Sequence, residues 1–130
     1  MPELEWNELD FLQCLATLPV VEEYGVSHTY TVTDKVLTLE LIVYQIESVI
    51  EFALSRTGME QPIMRFALVV RDKIRYREGK QGESLEFRDC VFVPRRFYMT
   101  DVGDVFVRER FPMGLMVELT VHPSIQFAFQ

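Results

Sequence analysis

The stretch that decides the fold is FALVVRDKIRYR, residues 66–77, near the middle of the chain. Its cationic residues recur at every second position and form a basic stripe: Arg71, Lys73, Arg75 and Arg77. Side chains of a β-strand point alternately to opposite faces, so an extended chain would place all four cations on one face. The alternate positions are mostly apolar. The stretch therefore predicts a half-buried antiparallel strand over about residues 63–77.

Alternating patterns continue on both sides of this strand. Residues 26–33 and 36–44 form two such runs around Asp34-Lys35, which predicts a β-hairpin. The two-glycine segment 78–83 is expected to be a polar loop. Further strands are expected after it, separated by polar or proline-containing turns: 85–92, 105–111, 115–121 and 125–129.

Residues 45–56 are open to two interpretations. Ile46, Val49 and Ala53 fit helical spacing, whereas Phe52 and Leu54 continue an alternating pattern. Short apolar runs cannot be resolved by their period alone. The strands expected on both sides favour a strand here as well.

The N-terminal segment has a helical pattern over about residues 7–18. Asn7 is a candidate N-cap, and Asp10 three positions later completes the spacing of a capping box. Pro19 is expected to end the helix. Trp6 and Phe11 are large enough to anchor it on a sheet.

The 130 residues are expected to form a single domain, 1–130, with β structure over 26–130. Seven or eight short strands at intervals of roughly ten residues are typical of mainly β proteins. We expect an antiparallel β-sandwich or a strongly curved sheet, with the N-terminal helix across one face or one end.

The sequence indicates a cytoplasmic protein that is not inserted in a membrane. No apolar run approaches the roughly 20 residues of a membrane-spanning helix. The N-terminus, MPELEWNELD, has four acidic residues where a secretory signal would be basic. Cys14 and Cys90 lie in apolar patterns and are interpreted as buried thiols in a reducing compartment.

Charge is distributed unevenly along this acidic chain, whose formal net charge is −7. Residues 1–64 hold eleven acidic and two basic residues, whereas residues 65–96 hold nine basic and five acidic residues. Overall acidity argues against nucleic-acid binding, which depends on neutralising phosphates. An acidic region next to a basic one favours a protein partner or self-association.

No catalytic site, metal site or cofactor is indicated. His28 lies in an alternating pattern and His122 precedes a proline, so both are interpreted as structural residues rather than general bases. The cysteines and histidines lack the spacing of zinc ligands. Asp101 and Asp104 are interpreted as turn residues, since two carboxylates are too few for calcium. The sequence therefore does not indicate an enzyme.

The candidate binding site is the basic stripe, extended by two cations that follow the next strand: Arg95 and Arg96. If the strands around the 78–83 loop pair, Glu83 and Glu86 would offset part of this charge. Tyr76 and Tyr98 would add contact area. The alternative is a solvated outer face whose charges discourage edge-to-edge association of sheets.

The sequence does not determine the function. The favoured hypothesis is a non-catalytic cytoplasmic protein-interaction module, inhibitor-like, that uses a charged sheet face. One alternative is a β protein that binds a small ligand in a cavity between sheet and helix. The other is a self-assembling structural subunit.

Overall fold

A computed structural model of the protein describes residues 3–80, 82–93 and 113–130. These residues contain one helix, α1 (Glu8–Leu15), and nine strands that form one antiparallel sheet, which is not closed. The strands are β1 (Val20–Val21), β2 (His28–Thr33), β3 (Leu37–Tyr44), β4 (Val49–Arg56), β5 (Pro62–Val70), β6 (Ile74–Gly79), β7 (Gly82–Val93), β8 (Leu115–Thr120) and β9 (Gln126–Phe129). The order is β1-β2-β3-β4-β5-β7-β8-β9, and β6 also pairs with β7. The prediction of a mainly β fold is confirmed.

The sheet is strongly curved. Strands β4 and β9 are four positions apart in the sheet, which corresponds to about 19 Å in a flat sheet. The ring of Phe52 on β4 nevertheless lies 5.4 Å from the ring of Phe127 on β9. The described strands therefore form the curved sheet that was expected, and not the two sheets of a sandwich.

Helix α1 begins where Asn7 was expected to cap it. The Asn7 side-chain oxygen accepts a hydrogen bond from the backbone N–H of Leu9 at 2.9 Å. The helix ends at Leu15, three residues earlier than predicted, because Ala16 adopts a left-handed conformation (φ 55°). Phe11 is fully buried and its ring lies 5.0 Å from that of Trp6, so both residues anchor the helix as expected.

The hairpin predicted around Asp34-Lys35 is confirmed by the pairing of β2 with β3. The Asp34 carboxylate accepts hydrogen bonds from the backbone N–H groups of Leu37 and Val36, at 2.7 and 2.8 Å, and these bonds lower the pKa of Asp34. In the ambiguous segment 45–56, residues Val49–Arg56 form β4, so the strand interpretation is correct.

The single strand predicted over 63–77 is wrong. It is divided into β5 and β6, which pair with the end and the beginning of β7, respectively. The physical reason is an irregularity in β7, where Asp89 has a φ of 54° and the register with β8 shifts between Phe87 and Cys90. A bulge of this kind bends a strand and changes which face its side chains occupy.

The remaining predictions concern the second half of the chain. The 78–83 loop is shorter than expected, because Gly79 and Gly82 already pair across the β6–β7 hairpin. Strands β8 and β9 were anticipated, with His122-Pro123 between them. The predicted strand 105–111 lies outside the described residues.

Two hydrophobic clusters lie on opposite faces of the sheet. The main core, on the concave face, includes Phe11 and Leu15 of α1 together with Phe52 and Phe87. A smaller cluster contains residues from three central strands: Val49, Ala67, Val69, Val91 and Val93. Strand β7 contributes to both clusters, so it is covered on both sides.

Gly114 allows its backbone to approach β7 closely at Asp89 and Cys90, and a substitution of this glycine tests how tight the approach is. A Cβ atom at Gly114 would lie 2.7 Å from the carbonyl carbon of Asp89 and 2.8 Å from the nitrogen of Cys90. Gly114→Ala should therefore lower the free energy of unfolding by about 1–3 kcal/mol, measured by urea denaturation. Gly79→Ala is the matched control, since its Cβ would meet nothing closer than 3.9 Å. An equal loss in both variants would contradict the prediction.

Candidate functional site

The four residues of the basic stripe differ in their position and in their contacts with acidic side chains. On β6, Ile74 and Tyr76 pack into the main core, so Arg75 and Arg77 lie on the convex face of the sheet. Arg71 precedes β6 and donates to the Asp89 carboxylate at 2.7 Å, and only 11% of its side chain is exposed. Arg71 is therefore held against β7.

Arg77 and Arg88 converge on one buried carboxylate, Glu86 of β7. The distances are 2.6 Å from Arg77 Nη1 and 3.1 Å from Arg88 Nε, and Glu86 has no exposed surface. Burial alone would raise the pKa of Glu86, but the hydrogen bonds and positive charges of the two guanidinium groups hold it below its usual value. Part of the charge of the stripe is thus neutralised, as expected for Glu86. Glu83 instead lies opposite Glu78.

Lys73 and Arg75 differ from their neighbours in the stripe. No hydrogen bond or ion pair joins either side chain to another residue within 3–80, 82–93 or 113–130. Arg95 and Arg96, which were expected to extend the stripe, lie outside the described residues, as do Tyr98, Asp101 and Asp104.

Cys14 and Cys90 are buried free thiols, and burial raises the pKa of each to about 12. A thiol of this kind is protonated at neutral pH and is a poor nucleophile.

Within the described ranges, no three or more His, Cys, Asp or Glu side chains form a metal-binding group. Nor does any helix there have the length and apolar character needed to cross a bilayer.

A second charged surface, which sequence reasoning did not single out, lies at the N-terminus. Residues 1–34 contain seven acidic residues and no lysine or arginine. We define the N-terminal surface as the exposed residues of the segment 3–24. Its exposed acidic residues are Glu3, Glu5, Glu8, Glu22 and Glu23.

The N-terminal surface is also rich in exposed apolar side chains. Six of the fourteen exposed large hydrophobic residues in the described ranges belong to it: Leu9, Leu12, Leu18, Val20, Val21 and Tyr24. Tyr24 is 82% exposed and Leu9 70%. Single exposed apolar residues are ordinary on a protein surface, whereas this short segment exposes several of them.

A cleft of about 600 Å³ borders this surface, where the start of α1 meets β2 and the turn after β3. Its lining is mainly aromatic and polar: Trp6, Asn7, Glu8, Leu9, Gly25, His28 and Gln45. His28 Nε2 lies 2.8 Å from a carboxylate oxygen of Glu8, and the His28 ring packs edge-on against Trp6 at 4.9 Å. His28 Nδ1 and Gln45 Oε1 are buried with no hydrogen-bond partner among the described residues.

Neither the N-terminal surface nor the cleft beside it could have been located fully from the sequence. The acidic residues were visible, but counting them over residues 1–64 hid their concentration in the first 34. A shorter window would have found it. The cleft had no such signal, because Trp6, His28 and Gln45 come from separate parts of the chain.

Comparison with known proteins gives one informative structural match. No protein-family model and no curated protein matches the sequence. The fold is similar to that of a chain in the contact-dependent growth inhibition toxin–immunity protein complex from Klebsiella pneumoniae 342, with a TM-score of 0.66. The similarity covers 98% of this chain and 96% of that chain, at 17% sequence identity. At this identity the match establishes a shared fold.

Proposed function

We propose that the protein is a non-catalytic, inhibitor-like protein-binding module that binds a basic partner protein through its N-terminal surface. The observation that carries the proposal is the combination of five exposed acidic residues and six exposed apolar residues within residues 3–24. Apolar side chains supply the buried area of an interface, and complementary charge supplies its specificity and speed of association.

The structural comparison supports the same class of function. The similar chain comes from a complex of a toxin with an immunity protein, so the fold occurs in a protein that binds another protein. An inhibitor-like module for a basic protein would need an acidic surface on such a fold. Fold similarity alone does not determine function, and the proposal therefore rests on the N-terminal surface.

The basic stripe is the less favoured surface for the partner. Arg71 and Arg77 are already paired with acidic residues of β7. Only Lys73 and Arg75 keep side chains without such a pair among the described residues. By the same criterion, three of the five exposed carboxylates of the N-terminal surface have no such partner in the described ranges: Glu3, Glu5 and Glu23. These three charges lie on an otherwise acidic segment and make the stronger charged surface.

The proposal predicts a stoichiometric partner whose binding is weakened by charge reversal in the N-terminal surface. Native mass spectrometry of the untagged protein, taken gently from its own host, should show a complex with a basic protein. Converting Glu3, Glu5 and Glu23 to lysine should then raise the Kd for that protein by about 10–100-fold, and by less at high salt. Glu22 is left unchanged because it accepts a hydrogen bond from Ser27 at 3.0 Å.

Two further variants complete the experiment, one as a matched control and one as a test of the basic stripe. Converting Glu40, Glu60 and Glu78 to lysine makes the same change of charge at exposed positions outside the N-terminal surface and should leave most of the affinity intact. Converting Lys73 and Arg75 to glutamate tests the basic stripe. Wild-type affinity in the N-terminal variant, together with loss in the Lys73 and Arg75 variant, would overturn the proposal in favour of the stripe.

A further inference from the structure

We propose that the cleft beside Trp6 and His28 binds a lysine or arginine side chain of the partner protein. This inference rests on the proposed function and specifies where a cationic anchor residue would enter the N-terminal surface. It starts from two buried acceptor atoms that the described residues leave unpaired, His28 Nδ1 and Gln45 Oε1.

The hydrogen-bond chemistry of the cleft selects a donor. In a neutral imidazole one ring nitrogen donates and the other accepts. Because His28 Nε2 lies 2.8 Å from the Glu8 carboxylate, it is the donating nitrogen, and Nδ1 is left as an acceptor. Gln45 Oε1 is a second acceptor in the same lining. The cleft therefore presents a carboxylate and two uncharged acceptors to its occupant.

Lysine and arginine match this arrangement because they carry several donors and no acceptor. Leaving a buried acceptor unpaired is unfavourable, so an occupant that donates to both atoms gains more than it would on open surface. Trp6 adds an aromatic wall, and cations associate favourably with the face of an indole ring. The surroundings contribute negative charge, since Glu8 is 64% exposed at the edge of the cleft.

Entry of the cation requires a small movement of the lining. His28 Nδ1 and Gln45 Oε1 are both shielded from solvent in the free protein. Leu9 lines the same cleft and is 70% exposed, so its side chain can change rotamer without losing core contacts. Interface side chains commonly make such rotamer changes on binding.

The test uses small probes and the chain's single tryptophan as the reporter. N-acetyl-lysine amide and N-acetyl-arginine amide are titrated at pH 8, and Trp6 fluorescence is recorded. Saturable binding in the millimolar range is expected for either cation. N-acetyl-norleucine amide, which has the length of lysine without its charge, should bind at least about 10-fold more weakly. Equal binding of all three probes, or binding of none, would overturn the proposal.

Gln45→Met separates binding from stability. It removes a buried unpaired acceptor while keeping the side-chain length, so the melting temperature should be unchanged or higher. The affinity for the cationic probes should nevertheless fall by about 10-fold. Gln61→Met is the control, because Gln61 is exposed and lies outside the cleft. Unchanged probe affinity in Gln45→Met would contradict the assigned role.

Repeating the Gln45→Met measurement with the partner protein distinguishes the two proposals. If reversal of Glu3, Glu5 and Glu23 weakens partner binding by about 10–100-fold and Gln45→Met does not weaken it, the proposed function stands and the cleft is not the anchor site. If the cationic probes bind but the reversal leaves the partner bound, the cation site stands and the proposed function is wrong.

Discussion

Replacing Arg77 and Arg88 together with methionine is expected to lower the free energy of unfolding by about 3 kcal/mol. The substitutions keep the apolar stems but leave the Glu86 carboxylate, which has no exposed surface, without a cation. Breaking a buried ion pair from one side commonly costs about 3–5 kcal/mol. The lower end applies here because the Arg77 side chain is 62% exposed and solvent screens its charge.

The Glu86→Gln background provides the control for this prediction. In that background the same two arginine substitutions should destabilise much less, since no buried charge is left behind. Equal losses with and without the Glu86 charge would show that the arginines act through packing alone. Urea denaturation followed by circular dichroism measures the stability of the wild type and the three variants.

The pH dependence of stability should differ in sign between the wild type and the double variant. In the wild type the pKa of Glu86 lies below its ordinary value of 4.5. Ionised Glu86 therefore contributes to the free energy of unfolding above pH 4.5, and this contribution is lost as the pH falls below 4.5. Without the arginines, burial would raise the pKa of Glu86. Stability of the double variant should then increase as the pH is lowered from 7 to 5, relative to the variant that also carries Glu86→Gln. No difference in slope would contradict the assignment.

Local patterns were sufficient where one face of a strand is buried along its whole length. In β2 the buried residues are His28, Tyr30 and Val32, which follow the period of two read from the sequence. The Asp34 turn could also be predicted, because the Asp34 carboxylate accepts hydrogen bonds from backbone N–H groups two and three residues later. Asn7 is a similar case, since its side chain caps the helix that follows.

Features that depend on a neighbouring strand could not be predicted. The period of two continues through Arg71 and Lys73, although the strand is interrupted there. The interruption follows from the left-handed conformation of Asp89 on β7, and Asp89 is not the glycine that usually marks such a position. The same limit applies to the candidate sites, because Arg77 meets Glu86 and Trp6 meets His28 only through tertiary contacts.

Replacing Phe52 with alanine is expected to lower the free energy of unfolding by about 3–5 kcal/mol, the range for large-to-small changes of a buried phenylalanine. Phe52 is 1% exposed and stacks on Phe66 of β5 at 4.7 Å. Its ring also meets Phe127 of β9 at 5.4 Å, across the concavity of the sheet. The substitution therefore removes both core volume and a contact that holds the sheet in its curved form.

If Phe52 holds the sheet in its curved form, the substitution should also change the hydrogen exchange of β9. Among the described residues β9 is an edge strand paired only with β8, so its other support is the packing of its side chains against the core. Hydrogen exchange at the β9 amides should accelerate more in Phe52→Ala than exchange in β3, although β3 is adjacent to the substituted strand. Phe129→Ala is the matched control, because Phe129 is 48% exposed and its loss should cost about 1 kcal/mol. Uniform acceleration in all strands would mean that Phe52 stabilises the whole core without holding β9 across the concave face.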